Sequence, residues 1–308
     1  MDVTLRRTMA NGIDPVQSMK ALKYKGVTMR GWVVRTAIAL AVGVIAVYGG
    51  ICVYMDQQQD ALIYPGGTTT IEPLPAPDAV GLSGFEAVTL DTPDGDHLKG
   101  WWHDPEPGRG VVLYLHGNLH SLAADWRVAR LRDLAAAGYG VLGIEYRGFG
   151  GSTGHPSEQG LITDAETAYA LIATKAPGAK VALFADSLGT GVAVALAGER
   201  NVAGLVLDSP YASVVRLASA NYPWLPVSAL LRSSWNSEAR IKSVTAPVLI
   251  AHCDADRIIP LAEGKRLFEA ANQPKQMIVL PGCGHVETWV DPVKQTALID
   301  FAAWIGGN

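Results

Sequence analysis

The sequence predicts an α/β architecture, a mostly parallel sheet covered by helices, with one long apolar helix in front of it. Three observations carry this. Short continuous apolar runs alternate with helix-like stretches through the C-terminal three-quarters of the chain. Glycine is abundant, 33 of 308 residues, as many short turns between packed elements require. Residues 36–55 form a segment of twenty residues without a charge.

The front of the chain comes first. Hydrophobic residues make up 49% and charged residues 18%, enough apolar content for a substantial core and too much for a disordered chain. The net charge of −4 conceals an asymmetry. Residues 1–35 carry seven basic side chains, Arg6, Arg7, Lys20, Lys23, Lys25, Arg30 and Arg35, against Asp2 and Asp14. Eighteen basic and twenty-seven acidic residues remain for the rest. So acidic a body argues against nucleic acid as a partner.

The basic head belongs with the run TAIALAVGVIAVYGGICVYM at 36–55. A helix of twenty residues is about 30 Å long, the thickness of a bilayer core. The expected organisation is a basic cytoplasmic tail (1–35), a transmembrane anchor (36–55), a proline- and threonine-rich extended linker (56–80) and one globular domain (81–308). The positive-inside rule places that domain across the membrane, on the periplasmic or lumenal side. A cleaved signal peptide fits less well, because the charged leader is long and no A-x-A site follows.

Within the domain, 85–90 and 98–103 read as an antiparallel pair around the turn Pro93-Asp94-Gly95. The runs at 111–116, 140–146, 181–186, 204–209, 248–253 and 277–281 suit strands buried on both faces. Helices are predicted over 123–137, 158–173, 188–199, 261–271 and 292–304. In such a sheet ligands bind beyond the carboxyl ends of the strands, so chemistry is sought in the residues just after each one.

Four strand ends stand out. VALFAD is followed by Ser187 and a helix-like run, and Ala185-Asp186-Ser187-Leu188-Gly189 matches the strand–turn–helix elbow G-x-S-x-G with alanine in first place. By itself the pentapeptide fits a nucleophile and a helix-capping serine equally. After VVLYLH comes Gly117-Asn118-Leu119, whose backbone N–H from Asn118 or Leu119 would join that of Leu188 in holding an oxyanion. His116 is read as structural. After VLIAHC two carboxylates compete to orient an imidazole, Asp254 and Asp256, with Asp208 a distant third. Position within the run favours Asp256 and leaves Asp254 to support the turn. After the last strand, Gly282-Cys283-Gly284 presents His285. The order Ser187, Asp256, His285, each following a strand, gathers all three at one sheet edge.

With these residues in hand, the chain resembles the Bem46-like branch of the α/β hydrolases, which includes membrane-associated ABHD proteins. The similar stretches are QDALIYPG (59–66), LYLHGN (113–118), EYRGFGGSTGHPSEQGLITDAE (145–166), DSLGTGVAVALA (186–197), LDSPYAS (207–213), ADRIIP (255–260) and PGCGHVE (281–287). The resemblance implies the α/β-hydrolase fold with Ser187 as nucleophile, Asp256 as acid and His285 as base. The anchor places the site near the bilayer, and the resemblance points to lipid esters or acylated proteins, cleaved at an ester or thioester carbonyl. Asp186 is expected to face away from the pocket. Residues 211–245 would form a short cap, whose aromatic corner at Tyr222 and Trp224 is expected to touch an acyl chain. Ser152 belongs to the pocket floor or to a turn-rich link beneath the site.

A peptidase or small-ester hydrolase is the enzymatic alternative, and a catalytically silent scaffold the non-enzymatic one. The remaining histidines lack metal-ligand spacing, and no phosphate loop or dinucleotide fingerprint occurs, so neither metal nor cofactor is expected. Three cysteines make no disulfide framework. Cys52 lies in the anchor. Cys253 and Cys283 end strands expected to be neighbours; two separate buried thiols are the simpler reading, and a bridge in an oxidising compartment the other.

Overall fold

A computed structural model describes residues 15–68 and 72–305; the first fourteen residues of the expected basic tail lie outside it. The chain divides into two compact units, Met1–Gln57 and Gln58–Asn308.

Helix α1 runs from Pro15 to Ile63. It continues past both ends of the charge-free run, and no proline interrupts it between Pro15 and Pro65. Its stretch Gly31–Ile63 is, among the described residues, the one helix long and apolar enough to cross a membrane.

The second unit is built on an eight-stranded sheet in the order β1-β2-β4-β3-β5-β6-β7-β8. The strands are β1 (Glu86–Asp91), β2 (His97–His103), β3 (Val111–Leu115), β4 (Gly140–Ile144), β5 (Val181–Asp186), β6 (Leu205–Asp208), β7 (Val248–Cys253) and β8 (Lys275–Leu280). β2 is antiparallel to β1 and to β4, and every other pairing is parallel. The central strands alternate their side chains between two cores, as period-two geometry requires. Val111, Leu113, Leu115, Leu183 and Ala185 enter one core. Val112, Tyr114, Ala182 and Phe184 enter the other.

Each core is closed by helices. The helices that follow α1 are α2 (Pro65–Thr68), α3 (Asp125–Ala136), α4 (Glu158–Lys175) and α5 (Leu188–Glu199). The first core receives Leu161 and Ala165 from α4 and Val192 and Leu196 from α5. The second receives Val128, Leu131 and Leu134 from α3 (Asp125–Ala136), and Phe301 from the C-terminal helix over Val293–Ile305. The expected cap is three short helices, Val214–Asn221, Val227–Leu230 and Ser237–Arg240.

The stretch expected as an extended linker differs. It is helical to Ile63, and the compact unit takes it in from Gln58 onward. The cause is Tyr64, which is fully buried; its hydroxyl bonds Ser233 Oγ at 2.9 Å and accepts from Trp235 Nε1 at 2.8 Å. A buried tyrosine needs such partners for its hydroxyl. Close by, Asn118 Nδ2 donates to the Ile63 carbonyl (2.9 Å) and Gly66 N–H to the Asn118 carbonyl (3.0 Å). Gly66 has no substitute here, since a Cβ would meet a Phe149 ring carbon at 2.5 Å and the Asn118 oxygen at 2.8 Å.

Candidate active site

The carboxyl edge of the sheet brings Ser187, Asp256 and His285 together. Ser187 follows β5 directly and opens α5 with φ 50° and ψ −119°. A non-glycine residue held at positive φ is strained by roughly 1–3 kcal/mol and persists only where its surroundings impose it. Here the surroundings are a strand and a helix in close approach: a Cβ on Gly189 would lie 2.1 Å from the Leu115 carbonyl oxygen. Alanine at 185 is accommodated, fully buried in the first core. The serine hydroxyl makes no capping bond to α5, so its role is not that of a helix cap.

Ser187 Oγ lies 2.9 Å from His285 Nε2, and His285 Nδ1 lies 2.7 Å from Asp256 Oδ2. The assignment that satisfies both contacts has Nδ1–H donating to Asp256 and the serine hydroxyl donating to Nε2. Asp256 is 6% exposed, and its other oxygen accepts the N–H groups of Ile258 and Ile259, both at 2.9 Å. Burial pushes its pKa up, but the His285 bond and these two N–H groups outweigh burial and hold it below the usual carboxylate value. A carboxylate depressed on folding contributes stability above its unfolded pKa, about 3.9, and loses it as pH falls through the folded value.

The other carboxylates are engaged elsewhere. Asp254 Oδ1 accepts from Gly282 N–H at 2.7 Å, supporting the His285 loop from below. Asp208 is buried and bound by Arg130 Nη2 at 2.6 Å. Asp186 is fully buried and bound within the protein, accepting from Tyr114, from Gly117 N–H at 3.0 Å and from Arg127 Nη2 at 3.4 Å. Burial raises the Asp186 pKa, but Arg127 and Arg130 bring it below the ordinary value. Arg127 and Arg130 were not singled out from the sequence. Their signal is spacing: Arg127 lies three residues before Arg130 and four before Leu131, and Arg130 four before Leu134, all on the buried face of α3.

His116 is buried and structural, with Nδ1 2.7 Å from the Gly117 carbonyl and Nε2 3.3 Å from Glu145. Ser152 is buried in the turn-rich link, donating to the Glu145 carbonyl at 3.0 Å and accepting from Lys99 N–H at 2.9 Å. Leu188 is the first residue of α5, where backbone N–H groups have no intrahelical acceptor. Among the described residues no hydrogen bond uses the N–H of Asn118, Leu119 or Leu188. A cleft of about 640 Å³ opens beside this loop, with Leu119, Trp126, Ala123, Ala124 and Pro65 on its wall. Among the described residues no hydrogen bond joins Tyr222 or Trp224 to Ser187, Asp256 or His285, and Trp224 is 53% exposed.

Cys253 and Cys283 form a disulfide with their Cα atoms 5.2 Å apart, rather than remaining two separate thiols. The register explains it. β7 and β8 are adjacent and Cys253 pairs with Leu280, which brings the loop three residues on within reach. The bond ties the end of β7, where Asp256 follows, to the loop that carries His285. It spans 30 residues, for which the chain-entropy model gives about 3–4 kcal/mol. Replacing both cysteines by alanine is expected to lower the Tm by roughly 10 °C; calorimetry under non-reducing conditions checks it, and an unchanged Tm would show the bond idle. Among the described residues no group of three His, Cys, Asp or Glu side chains is arranged to hold a metal ion.

Comparison with known proteins fits this arrangement. A family model described as "Serine aminopeptidase, S33" (Hydrolase_4) matches residues 106–234. An uncharacterized protein of Mycobacterium tuberculosis, Rv2307c, is 38% identical over 255 residues, covering 81% of this chain and 88% of that protein. Human protein ABHD12B is 32% identical over 244 residues, covering 69% of this chain and 67% of its own length. The chain is an α/β-hydrolase.

Among solved structures, the esterase Pf2001 of Pyrococcus furiosus superposes on this hydrolase with a TM-score of 0.65 at 21% identity, over 77% of this chain and 99% of the esterase. That likeness establishes the shared fold. A serine hydrolase of the α/β-hydrolase fold is what the family supports.

Proposed function

We propose that this hydrolase is a membrane-anchored serine esterase that cleaves carboxylic esters or thioesters, with lipid or other acyl-chain substrates favoured. The observation that carries the reading is the unbroken hydrogen-bond chain from Ser187 through His285 to Asp256 at the apex of a strained turn. His285 takes the Ser187 proton as Oγ attacks the acyl carbon, and Asp256 stabilises the imidazolium that forms. The backbone N–H of Leu188, with that of Asn118 or Leu119, holds the oxyanion. The imidazolium returns its proton to the leaving alcohol or thiol. Water then attacks the acyl-enzyme by the same route in reverse and releases the acid.

Three observations support the substrate class and the location. The zebrafish relative named lysophosphatidylserine lipase ABHD12 is 31% identical over 185 residues, with 54% of this chain matching 48% of that protein. The apolar helix supplies an anchor, and the basic residues before it favour a cytoplasmic N-terminus. The disulfide suits an oxidising compartment, the periplasmic or lumenal side.

The experiment is turnover by the full chain in detergent on p-nitrophenyl esters, lysophospholipids, acyl-thioesters and an aminoacyl p-nitroanilide. Esters or thioesters are expected to be cleaved. Cleavage of the anilide alone would make the protein a peptidase, in keeping with the description of the family model. Two apolar surfaces are available for an acyl chain, the cleft at Leu119 and Trp126 and the corner at Tyr222 and Trp224. Trp224→Ala is expected to lower decanoate turnover relative to butyrate; an unchanged ratio removes the corner from the acyl-binding surface.

A further inference from the structure

Val286, the residue after His285, has φ 54°, and Ser209, the residue after β6, has φ 51°. For a β-branched side chain a positive φ is a genuine outlier. Something has to hold it there. The Val286 N–H donates to Ser209 Oγ at 3.1 Å, and the Ser209 hydroxyl donates to Asp208 Oδ1 at 3.1 Å. Arg130 Nη2 closes the ring, donating to Asp208 Oδ2 at 2.6 Å and to the Val286 carbonyl at 2.8 Å. Both backbone polar groups of Val286 are therefore captured by buried side chains from α3 and from the end of β6. Arg130, Asp208 and Ser209 are each 1% exposed or less. The same guanidinium lies 3.5 Å from Asp186, which immediately precedes Ser187.

We propose that Arg130, Asp208 and Ser209 form a buried clamp on the Val286 backbone that aims His285 at Ser187. The three are positioning residues, acting through the main chain beside the base and touching no substrate. The inference rests on the reading of Ser187 and His285 as the reacting pair. The disulfide and Asp254 hold the loop at Gly282 and Cys283, upstream of the imidazole. The clamp holds the residue immediately downstream of it, and further along the chain Trp289 Nε1 donates to Asp133 Oδ2 at 3.0 Å. The effect is geometric: a displacement of about 1 Å at a catalytic group can cost 10²-fold in rate.

Ser209→Ala is the direct test, because it removes one hydroxyl and leaves the Arg130–Asp208 pair intact. With p-nitrophenyl butyrate the variant is expected to lose about 10-fold or more in kcat, with KM within about twofold. Its Tm is expected to fall by only a few °C, the cost of about one buried hydrogen bond. Glycine adopts positive φ without penalty, so adding Val286→Gly to Ser209→Ala is expected to restore kcat several-fold. A purely structural hydroxyl would predict no such rescue. Where Ser209→Ala fails to fold, Arg130→Lys replaces it; a single ammonium cannot serve Asp208 and Val286, which Nη2 bonds, as well as Tyr114 and Asp186, which Nη1 reaches, so the same selective loss of kcat is expected.

A folded Ser209→Ala enzyme with kcat within twofold of the wild type overturns the clamp. So does a double variant slower than Ser209→Ala. Ser187→Ala run in parallel separates the two readings. Turnover abolished by Ser187→Ala and untouched by Ser209→Ala refutes the clamp alone. Turnover that survives Ser187→Ala refutes the reacting pair and the clamp with it.

Discussion

Ser187→Ala is expected to lower kcat on a responsive ester by about 10⁶-fold, by analogy with the loss of the nucleophile in subtilisin. The size follows from the geometry. The serine hydroxyl is already 2.9 Å from the imidazole, at a turn whose shape is fixed by Gly189 against the β3 carbonyl. Removing the hydroxyl removes the covalent route altogether, while the fold has no use for that oxygen as a helix cap. Stability should therefore change little. Steady-state kinetics with a thermal melt of the same preparation checks both halves, and turnover near that of the wild type would end the assignment.

Asp256→Asn carries the second largest effect, on the order of 10⁴-fold in kcat, as expected when a triad imidazole loses the partner that fixes its tautomer. An amide at this position can present an N–H to Nδ1, which stabilises the tautomer with the proton on Nε2, where it cannot accept from Ser187. Asp254→Asn is the matched control. Its carboxylate accepts from Gly282 N–H, a bond the amide oxygen can also accept, so only a small loss is expected. Equal losses from the two variants would show that the choice between these carboxylates is wrong. Asp208 is not available as a substitute, since Arg130 and Ser209 already occupy its oxygens.

The sheet edge was legible because its signals are local. Each of Ser187, Asp256 and His285 follows a continuous apolar run, and chain order alone groups them. Parallel strands buried on both faces read as such runs, so the strand boundaries differ from expectation by only a few residues. What stayed hidden depends on contacts between distant parts of the chain. Arg127 and Arg130 look like the solvated charges of a surface helix until their carboxylate partners arrive from the ends of β5 and β6. Tyr64 sits in what reads as a linker, and its partner Trp235 lies 171 residues away. The cysteine pairing required the register of β7 on β8, which no spacing in the sequence supplies.

The same distinction explains why Val286 escaped notice. Valine in a glycine-rich loop carries no signal, and its strained backbone is imposed by Ser209 and Arg130, 77 and 156 residues away. Positions where local preference is overruled are those where function or its support concentrates. Ser187, Ser209 and Val286 are three such positions around one imidazole.

The most direct measurement is reaction of the full-length protein with a fluorophosphonate probe, followed by mass spectrometry of the labelled peptide. The account predicts a single adduct on Ser187 in the wild type and its loss in His285→Ala. An intact protein left unlabelled, or an adduct that forms at Ser187 just as fast without His285, would contradict it.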